Sequence, residues 1–404
     1  MTTNSTPVSG RHYLAIPGPS VMPDAVLQAM HRAAPNIYEG ELIDMMPGLT
    51  ADLRRVARTE HNVAIYIANG HGVWEAALAN TIAPGERVLV PATGRFAHGW
   101  ALMADGLGIE TQILDFGKSS PWDMEQIAEA LRADTAHQIK AVLAVHVDTS
   151  TSVRNNVPAL RALLDELNHP ALLMADCIAS MGCDRFEMDA WGVDVAVTGS
   201  QKGLMVPPGT AFVFFNEKAA VKRASMPRVS GYWDWTPRAH PEEFYQYFNG
   251  TAPTHHLYGL RQALDMIHGE GMDNVWARHE TLARAIWAAC EVWAEGGALA
   301  LNVSDPEHRS RAVTSLRLDQ GRGTALRNWV ESNLGLTLGI GLGMAEPGDP
   351  RRDDFFRLGH MGHLNGQMVM GMLGGVEAGL AALDVPRGKG ALDAAAAVIA
   401  SVGA

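Results

Sequence analysis

Cysteine is scarce in this chain, with three among 404 residues: Cys177, Cys183 and Cys290. An odd number at spacings that match neither a zinc pattern nor a CxxC pair excludes a disulfide framework, and three reduced thiols in a cytosolic protein are expected. Positive charge is also short. Lys and Arg number 32 against 44 Asp and Glu, a net charge of −12, which gives no electrostatic footprint for nucleic acid or an anionic membrane. Long apolar runs are missing. The most apolar late stretch, Leu334–Ala345, is too short and too glycine-rich to span a bilayer. The opening residues, MTTNSTPVSGRHY, lack the apolar core of a signal peptide. A soluble, cytoplasmic protein with disorder over Met1–Ser9 is the expectation. Carboxylate–histidine clusters are lacking too. His360 and His363 stand three apart without acidic company, so no metal site is expected.

What is present is globular: 47% hydrophobic and 19% charged residues. The length calls for a large domain and a smaller one. Short, continuous apolar runs at Arg87–Pro91, Ala141–Val147, Ala171–Asp176, Asp194–Thr198 and Thr210–Phe215 read as strands buried on both faces. Helical patterns separate them at Val73–Thr81, Asp123–Arg132 (with Ser120 or Asp123 as cap) and Val157–Leu167. Such alternation predicts an α/β domain with a mostly parallel sheet. Beyond Gly250 two long helical patterns, His256–His268 and Asn274–Ala294, lead into a smaller α+β segment. Its candidate strands are Thr314–Leu318 and Phe355–Leu358, and an alanine-rich helix over Gly390–Ala400 closes the chain.

Two strands end in polar groups: Ala171-Leu-Leu-Met-Ala-Asp176 and Asp194-Val-Ala-Val-Thr-Gly-Ser-Gln-Lys202. Ligands of open α/β sheets sit at the carboxyl ends of strands, and an Asp and a Lys there suit pyridoxal phosphate. The amine forms a Schiff base with the aldehyde, and the carboxylate keeps the pyridine nitrogen protonated so that the ring accepts electrons. Taken alone, the pair reads as an exposed lysine and a turn-capping aspartate; its company makes it specific. Asn69-Gly70-His71-Gly72 offers a small-residue turn at a helix start, where free N–H groups hold phosphate. Phe96, after the Arg87–Pro91 strand, can stack on a flat ring or pack a core. His146-Val-Asp-Thr-Ser-Thr151 can bring His146 and hydroxyls to the ring or form an ordinary turn. Arg357, in an apolar strand flanked by Gly359 and Gly362, is a natural carboxylate clamp or a structural ion-pair partner.

In order and spacing these segments resemble the class V group of fold-type-I aminotransferases. The likeness is strongest to the alanine–glyoxylate, serine–glyoxylate and serine–pyruvate enzymes. It runs through Ile16-Pro-Gly-Pro19, Asn69–Ala77, His146–Thr151, Asp176–Ser180, Gly199–Gly203 with Pro207-Pro-Gly209, Tyr232-Trp-Asp234 and Arg357-Leu-Gly359. The resemblance implies the fold of that group: a mostly parallel central sheet with helices on both faces in a large domain (26–270), preceded by an N-terminal segment (1–25) and followed by a small C-terminal domain (271–404). It implies that Lys202 carries the cofactor and shuttles a proton. Asp176 pairs with the ring nitrogen. Asn69, Gly70, His71 and Gln201 lie at the phosphate, Phe96 stacks on the ring, and Thr149 approaches its hydroxyl. Thr251 reaches the phosphate from a second subunit, which makes the protein a homodimer with shared sites. Arg357 and Gly18 meet the substrate. A small amino acid (alanine, serine or aspartate) and a 2-oxo acid such as glyoxylate or pyruvate are the implied substrates, with a lowered lysine pKa.

Departures from the pattern are local. Ser152 stands where a glycine usually follows the Ser-Thr pair. Asn36-Ile-Tyr-Glu39 replaces a His-Arg-Ser sequence at the substrate entrance. Val275-Trp-Ala-Arg-His279 and Arg357–Gly362 echo pyridoxamine–pyruvate aminotransferases, although Arg278 and His279 read as surface. Tyr232, Trp233 and Trp235 line the pocket or pack an interface. A pyridoxal-phosphate lyase is the rival reading, but a desulfurase needs a mobile late cysteine, and Cys290 sits in a helical pattern. A non-catalytic relative would have lost Lys202, Asp176 or Arg357.

Overall fold

The computed structural model describes residues 7–401. The disorder expected over Met1–Ser9 lies, through residue 6, outside them. The strands in chain order are β1 (Tyr13–Ala15), β2 (Asn62–Tyr66), β3 (Arg87–Ala92), β4 (Glu110–Asp115), β5 (Ile139–Val145), β6 (Leu172–Asp176), β7 (Val195–Gly199), β8 (Ala211–Phe215), β9 (Leu299–Leu301), β10 (Val313–Leu318), β11 (Leu336–Ile340) and β12 (Phe355–Gly359). They form a seven-stranded sheet of order β2-β8-β7-β6-β5-β3-β4 and a five-stranded sheet of order β1-β11-β12-β10-β9. In the large sheet only β8 runs against its neighbours.

Each apolar run read as a strand is one, with ends displaced by a residue or two. The central strands β6, β7 and β8 are buried at every position, which is why their sequences show no alternation. Apolar clusters fill both faces of the sheet. One takes Ile127, Leu131, Leu160 and Leu164 from helices Met124–Ala133 and Val157–Glu166. The other takes Val73, Trp74 and Trp100 from helices Gly70–Thr81 and Arg95–Gly106. Asp123, of the two candidate caps, starts its helix by accepting from Glu125 N and Gln126 N. Asn69 brings the next helix start forward to Gly70 by accepting from Gly72 N at 3.2 Å.

Two features tie the sheets together. β1, from the N-terminal segment, pairs in parallel with β11 of the C-terminal sheet. Helix Met272–Ala294 gives Met272, Val275 and Trp276 to the large domain's core and Leu282 through Trp293 to the C-terminal core. Among the described residues no helix is long and apolar enough to cross a membrane, and no group of three or more His, Cys, Asp or Glu is placed to hold a metal ion.

Candidate active site

The carboxyl ends of parallel strands deliver the site. β7 leads to Lys202, β6 ends in Asp176, β5 leads to Asp148–Thr151, β3 leads to Gly94–Phe96, and β2, beyond the antiparallel β8, leads to Asn69–Gly70. β6 and β7 are neighbours, with Asp176 opposite Val197.

Asp176 is only 3% exposed. Ile178 N donates to its Oδ1 at 2.7 Å, and the indole Nε1 of Trp74 donates to its Oδ2 at 2.9 Å. Burial pushes its pKa up to about 7, while those two hydrogen bonds and the Lys202 cation pull the other way. Lys202 is held by the N-terminal segment: its Nζ donates to Pro17 O at 2.6 Å. Ser20 seals the same contact by donating from Oγ to Lys202 O at 2.8 Å and from its backbone N to Gln201 O at 2.9 Å. Gly18 has φ +92°, and a Cβ there would lie 2.5 Å from Lys202 Nζ, so only glycine lets the chain cross the lysine this closely. Burial, and then the nearby Arg357 cation, lowers the lysine to about 8. The lowered lysine expected from the sequence therefore has its cause in packing.

Arg357 is 6% exposed and bridges the two sheets. Its Nε donates to Ile340 O at 2.6 Å, and its Nη1 donates to Thr149 O at 2.8 Å. Neither partner is a carboxylate. Of the five guanidinium N–H groups, these bonds use two and leave the Nη2 end for a ligand. Burial lowers Arg357 to about 10, and attraction to Asp148 opposes the shift.

Asp148 had no role in the sequence reading, yet it organises the floor. It is fully buried and accepts from Phe96 N at 2.8 Å and from both the backbone N and the Oγ of Ser150. A Cβ at Gly94 would lie 2.5 Å from its Cγ, so that glycine admits the carboxylate to the helix start. Ser152 occupies the position of the usual glycine with φ +63°, and its Oγ accepts from Ser315 N at 3.1 Å. The left-handed turn is thus kept despite the substitution, with a hydrogen bond offsetting part of the strain.

Of the phosphate-end candidates, Asn69, Gly70 and His71 share one helix start. Gly70 is buried, and a Cβ there would come within 2.5 Å of Ile178 Cδ1. Asn69 and His71 are exposed, and the His71 ring lies 4.6 Å from that of Trp74. The buried Oε1 of Gln201 has no hydrogen-bond partner among the described residues. Phe96 is half-buried, edge-on to Trp74 at 6.2 Å. Thr251 is exposed and makes no hydrogen bond to any of these groups within the chain.

One reading changes, and two left open are decided. His146 does not join the site. It is buried on the opposite face of the sheet, edge-on to Trp191 at 5.5 Å and near Phe186. His279 is not on the surface but fully buried; its Nε2 accepts from Gly362 N at 3.1 Å and its Nδ1 faces Val275 O at 2.7 Å. Arg278 beside it is part-buried, donating to Gly362 O and Leu364 O and pairing with Glu270. These two residues hold the loop that follows Arg357; a helical register with Val275, Leu282 and Ile286 on its inner face would have pointed there. Of the aromatic trio, Trp235 is core, stacked on Phe215 at 4.3 Å, and Trp233 packs on Tyr66, while Tyr232 donates to Ile67 O and stays part-exposed.

The donor set fits pyridoxal phosphate. A buried carboxylate with both oxygens fixed suits a ring nitrogen. A part-buried lysine of lowered pKa suits an aldehyde, and a buried glycine at a helix start suits a phosphate.

The aminotransferase class-V family model matches residues 12–351. A serine–glyoxylate aminotransferase of Methylorubrum extorquens is 35% identical over 382 residues, 92% of this chain and 91% of the relative. An L-aspartate–glyoxylate aminotransferase of Paracoccus denitrificans is 34% identical over 94% of this chain and 93% of its own length. The crystal structure of a ureidoglycine–glyoxylate aminotransferase from Bacillus subtilis superposes with a TM-score of 0.87 at 25% identity, covering 97% of this chain and 99% of that one. The chain belongs to the class-V aminotransferase family, enzymes that use pyridoxal phosphate.

Proposed function

We propose that this aminotransferase moves an amino group from a small amino acid, alanine, serine or aspartate, to a 2-oxo acid such as glyoxylate or pyruvate. The observation that carries the proposal is the joining of Arg357, which has no carboxylate partner among the described residues, to a part-buried Lys202 and a buried Asp176. When bound, pyridoxal phosphate supplies an aldehyde for the amine and a protonated ring that accepts the electron pair of the substrate's α-carbon. Lys202 holds the cofactor, then takes the α-proton on Nζ and returns it during transfer. Asp176 stabilises the proton on the ring nitrogen. Arg357 orients the substrate carboxylate through its Nη2 end, and Gly18 leaves room above Lys202. Thr149 would lie beside the ring hydroxyl and Phe96 against the ring face, and Asn69, Gly70, His71 and Gln201 would hold the phosphate.

We further place Thr251 at the phosphate of a second subunit in a homodimer, a role its exposure permits. The chain divides functionally into an N-terminal segment (1–25), a large domain (26–270) and a small domain (271–404). Three buried free thiols and the −12 charge favour the cytoplasm over an oxidising compartment, and favour small substrates over nucleic acid or membrane.

An absorbance spectrum of the purified protein tests the reading. Loss of the cofactor's visible band on adding one of alanine, serine or aspartate, and its return with glyoxylate or pyruvate, is expected and identifies the pair. A band that persists with all three amino acids but disappears with pyridoxamine moves the donor to that amine. A band unchanged in Lys202→Ala overturns the assignment.

A further inference from the structure

Trp74 lies in the helix that opens at the phosphate turn, and nothing in the sequence pattern gave it a role. It is 1% exposed. Its Nε1–H donates to Asp176 Oδ2 at 2.9 Å, a buried side-chain hydrogen bond spanning 102 residues. Trp100 stacks on it at 5.9 Å and 13°, Phe96 meets it edge-on at 6.2 Å, and His71 packs at 4.6 Å. One indole therefore touches the residues placed at the ring nitrogen, the ring face and the phosphate. Trp100, by contrast, keeps its own buried Nε1 without a partner among the described residues, so it supports Trp74 by contact alone.

We propose that Trp74 is a positioning residue for the transamination: its indole N–H fixes the Asp176 carboxylate and sets how strongly that carboxylate holds a proton on the cofactor ring. The inference rests on the reading of Asp176 as the ring-nitrogen partner. Physically, a single N–H donor cannot reverse and become an acceptor, so it favours the ionised carboxylate and disfavours the neutral acid. With Oδ1 occupied by Ile178 N and Oδ2 by Trp74, the carboxylate can neither rotate nor drop both bonds. Both oxygens keep a second lone pair for another donor. Burial alone drives Asp176 toward the neutral form, which cannot hold a ring proton; the indole opposes that drift.

The test compares Trp74→Phe, which keeps an aromatic ring and removes the donor, with Trp100→Phe, which makes the same truncation one ring away. In the apoprotein, the infrared carboxyl band assigned to Asp176 by its loss in Asp176→Asn is titrated with pH. Trp74→Phe is expected to move the midpoint up by about one unit, a tenfold change in proton affinity, and Trp100→Phe to leave it in place. Pyridoxal phosphate affinity is expected to fall about tenfold, and kcat to fall more than KM, in Trp74→Phe only. Equal effects of the two variants, or an unmoved midpoint in Trp74→Phe, overturn the proposal. If Asp176→Asn itself leaves cofactor affinity and kcat at wild-type values, the reading of Asp176 fails instead, whatever the midpoint does. If Trp74→Phe does not fold, 3-benzothienylalanine incorporated at position 74, which keeps the shape of the indole with sulfur in place of the N–H, takes its place in the titration; the same rise of about one unit is expected, and an unmoved midpoint overturns the proposal equally.

Discussion

Replacing His279 by phenylalanine should damage the site although the residue touches no substrate. The imidazole joins helix Met272–Ala294 to the loop after β12, accepting from Gly362 N at 3.1 Å. Phenylalanine fills the same space but cannot accept, so it leaves a buried backbone N–H without a partner. Such a loss costs about 1–3 kcal/mol. The bond on the other nitrogen, toward Val275 O, is cheaper to lose, because that carbonyl belongs to the helix and keeps its helical partner. The damage should travel. A Cβ at Gly362 would lie 3.2 Å from both Ser20 Oγ and Met205 Cγ, so the loop packs directly on the residues flanking Lys202. Ser20 in turn donates to the Lys202 carbonyl. We expect His279→Phe to lower the melting temperature by a few degrees, measured at fixed pyridoxal phosphate concentration, and to reduce kcat. His279→Gln, whose amide oxygen can accept from Gly362 N, should recover part of both. A His279→Phe enzyme with wild-type melting and kcat refutes the argument, and so does a glutamine variant no better than phenylalanine.

Gly18→Ala should lose kcat and cofactor affinity beyond its effect on folding. The left-handed backbone adds roughly 1–2 kcal/mol of strain, and the new methyl would occupy the space of Lys202 Nζ; wild-type kinetics in this variant would show that the lysine does not rest there. Arg357→Lys should raise KM for the amino donor about tenfold or more, since an ammonium cannot hold Ile340 O and Thr149 O and still present a fork; a change in kcat without any in KM would count against the clamp. His146 has a pKa lowered to about 3, chiefly by burial and then by Arg154 and Arg311. The unfolded chain takes up a proton below about 6.5 while the folded one does not, so this histidine's contribution is whole above that pH and falls away as pH drops toward 3. His146→Phe should therefore flatten the acid limb of stability by about 1.4 kcal/mol per pH unit between pH 6 and 4, and parallel stability curves for variant and wild type would refute the assignment.

Much of this was legible in the chain because burial writes itself into composition. Runs such as Leu172–Asp176 and Ala211–Phe215 can be little but central strands, and in β6, parallel to its neighbours, the aspartate that ends the run marks the sheet's carboxyl edge. Other elements were hidden for the converse reason. β4 is an edge strand half open to solvent, and Glu110-Thr-Gln-Ile-Leu-Asp115 shows no apolar run at all. The helix Gly366–Ala382 carries five glycines in its length, which weakens any helical pattern although its buried face is continuous from Val369 to Leu380. β1 was invisible because three residues at the N-terminus find their partner, β11, more than 300 positions away, a pairing no local pattern encodes.

The undecided place of His146 and the overlooked roles of Asp148 and Trp74 share one origin. A strand exposed on one face alternates and so tells which side chains point inward. β5 is buried almost throughout, and the residues that follow it carry no such label. His146 and Asp148 lie two apart, a spacing that puts both on one face of an extended chain. The chain leaves the strand at Val145 and turns, and the two go to different sides: His146 to Phe186 and Trp191, Asp148 to the backbone N–H of Phe96. The side facing Asp176 is instead closed by Trp74, from a helix about a hundred residues earlier. In a sheet covered on both faces, the sequence of a strand can thus locate the catalytic edge, but the groups that tune its carboxylates come from the covering helices, where an indole N–H is indistinguishable in sequence from one more aromatic in the core.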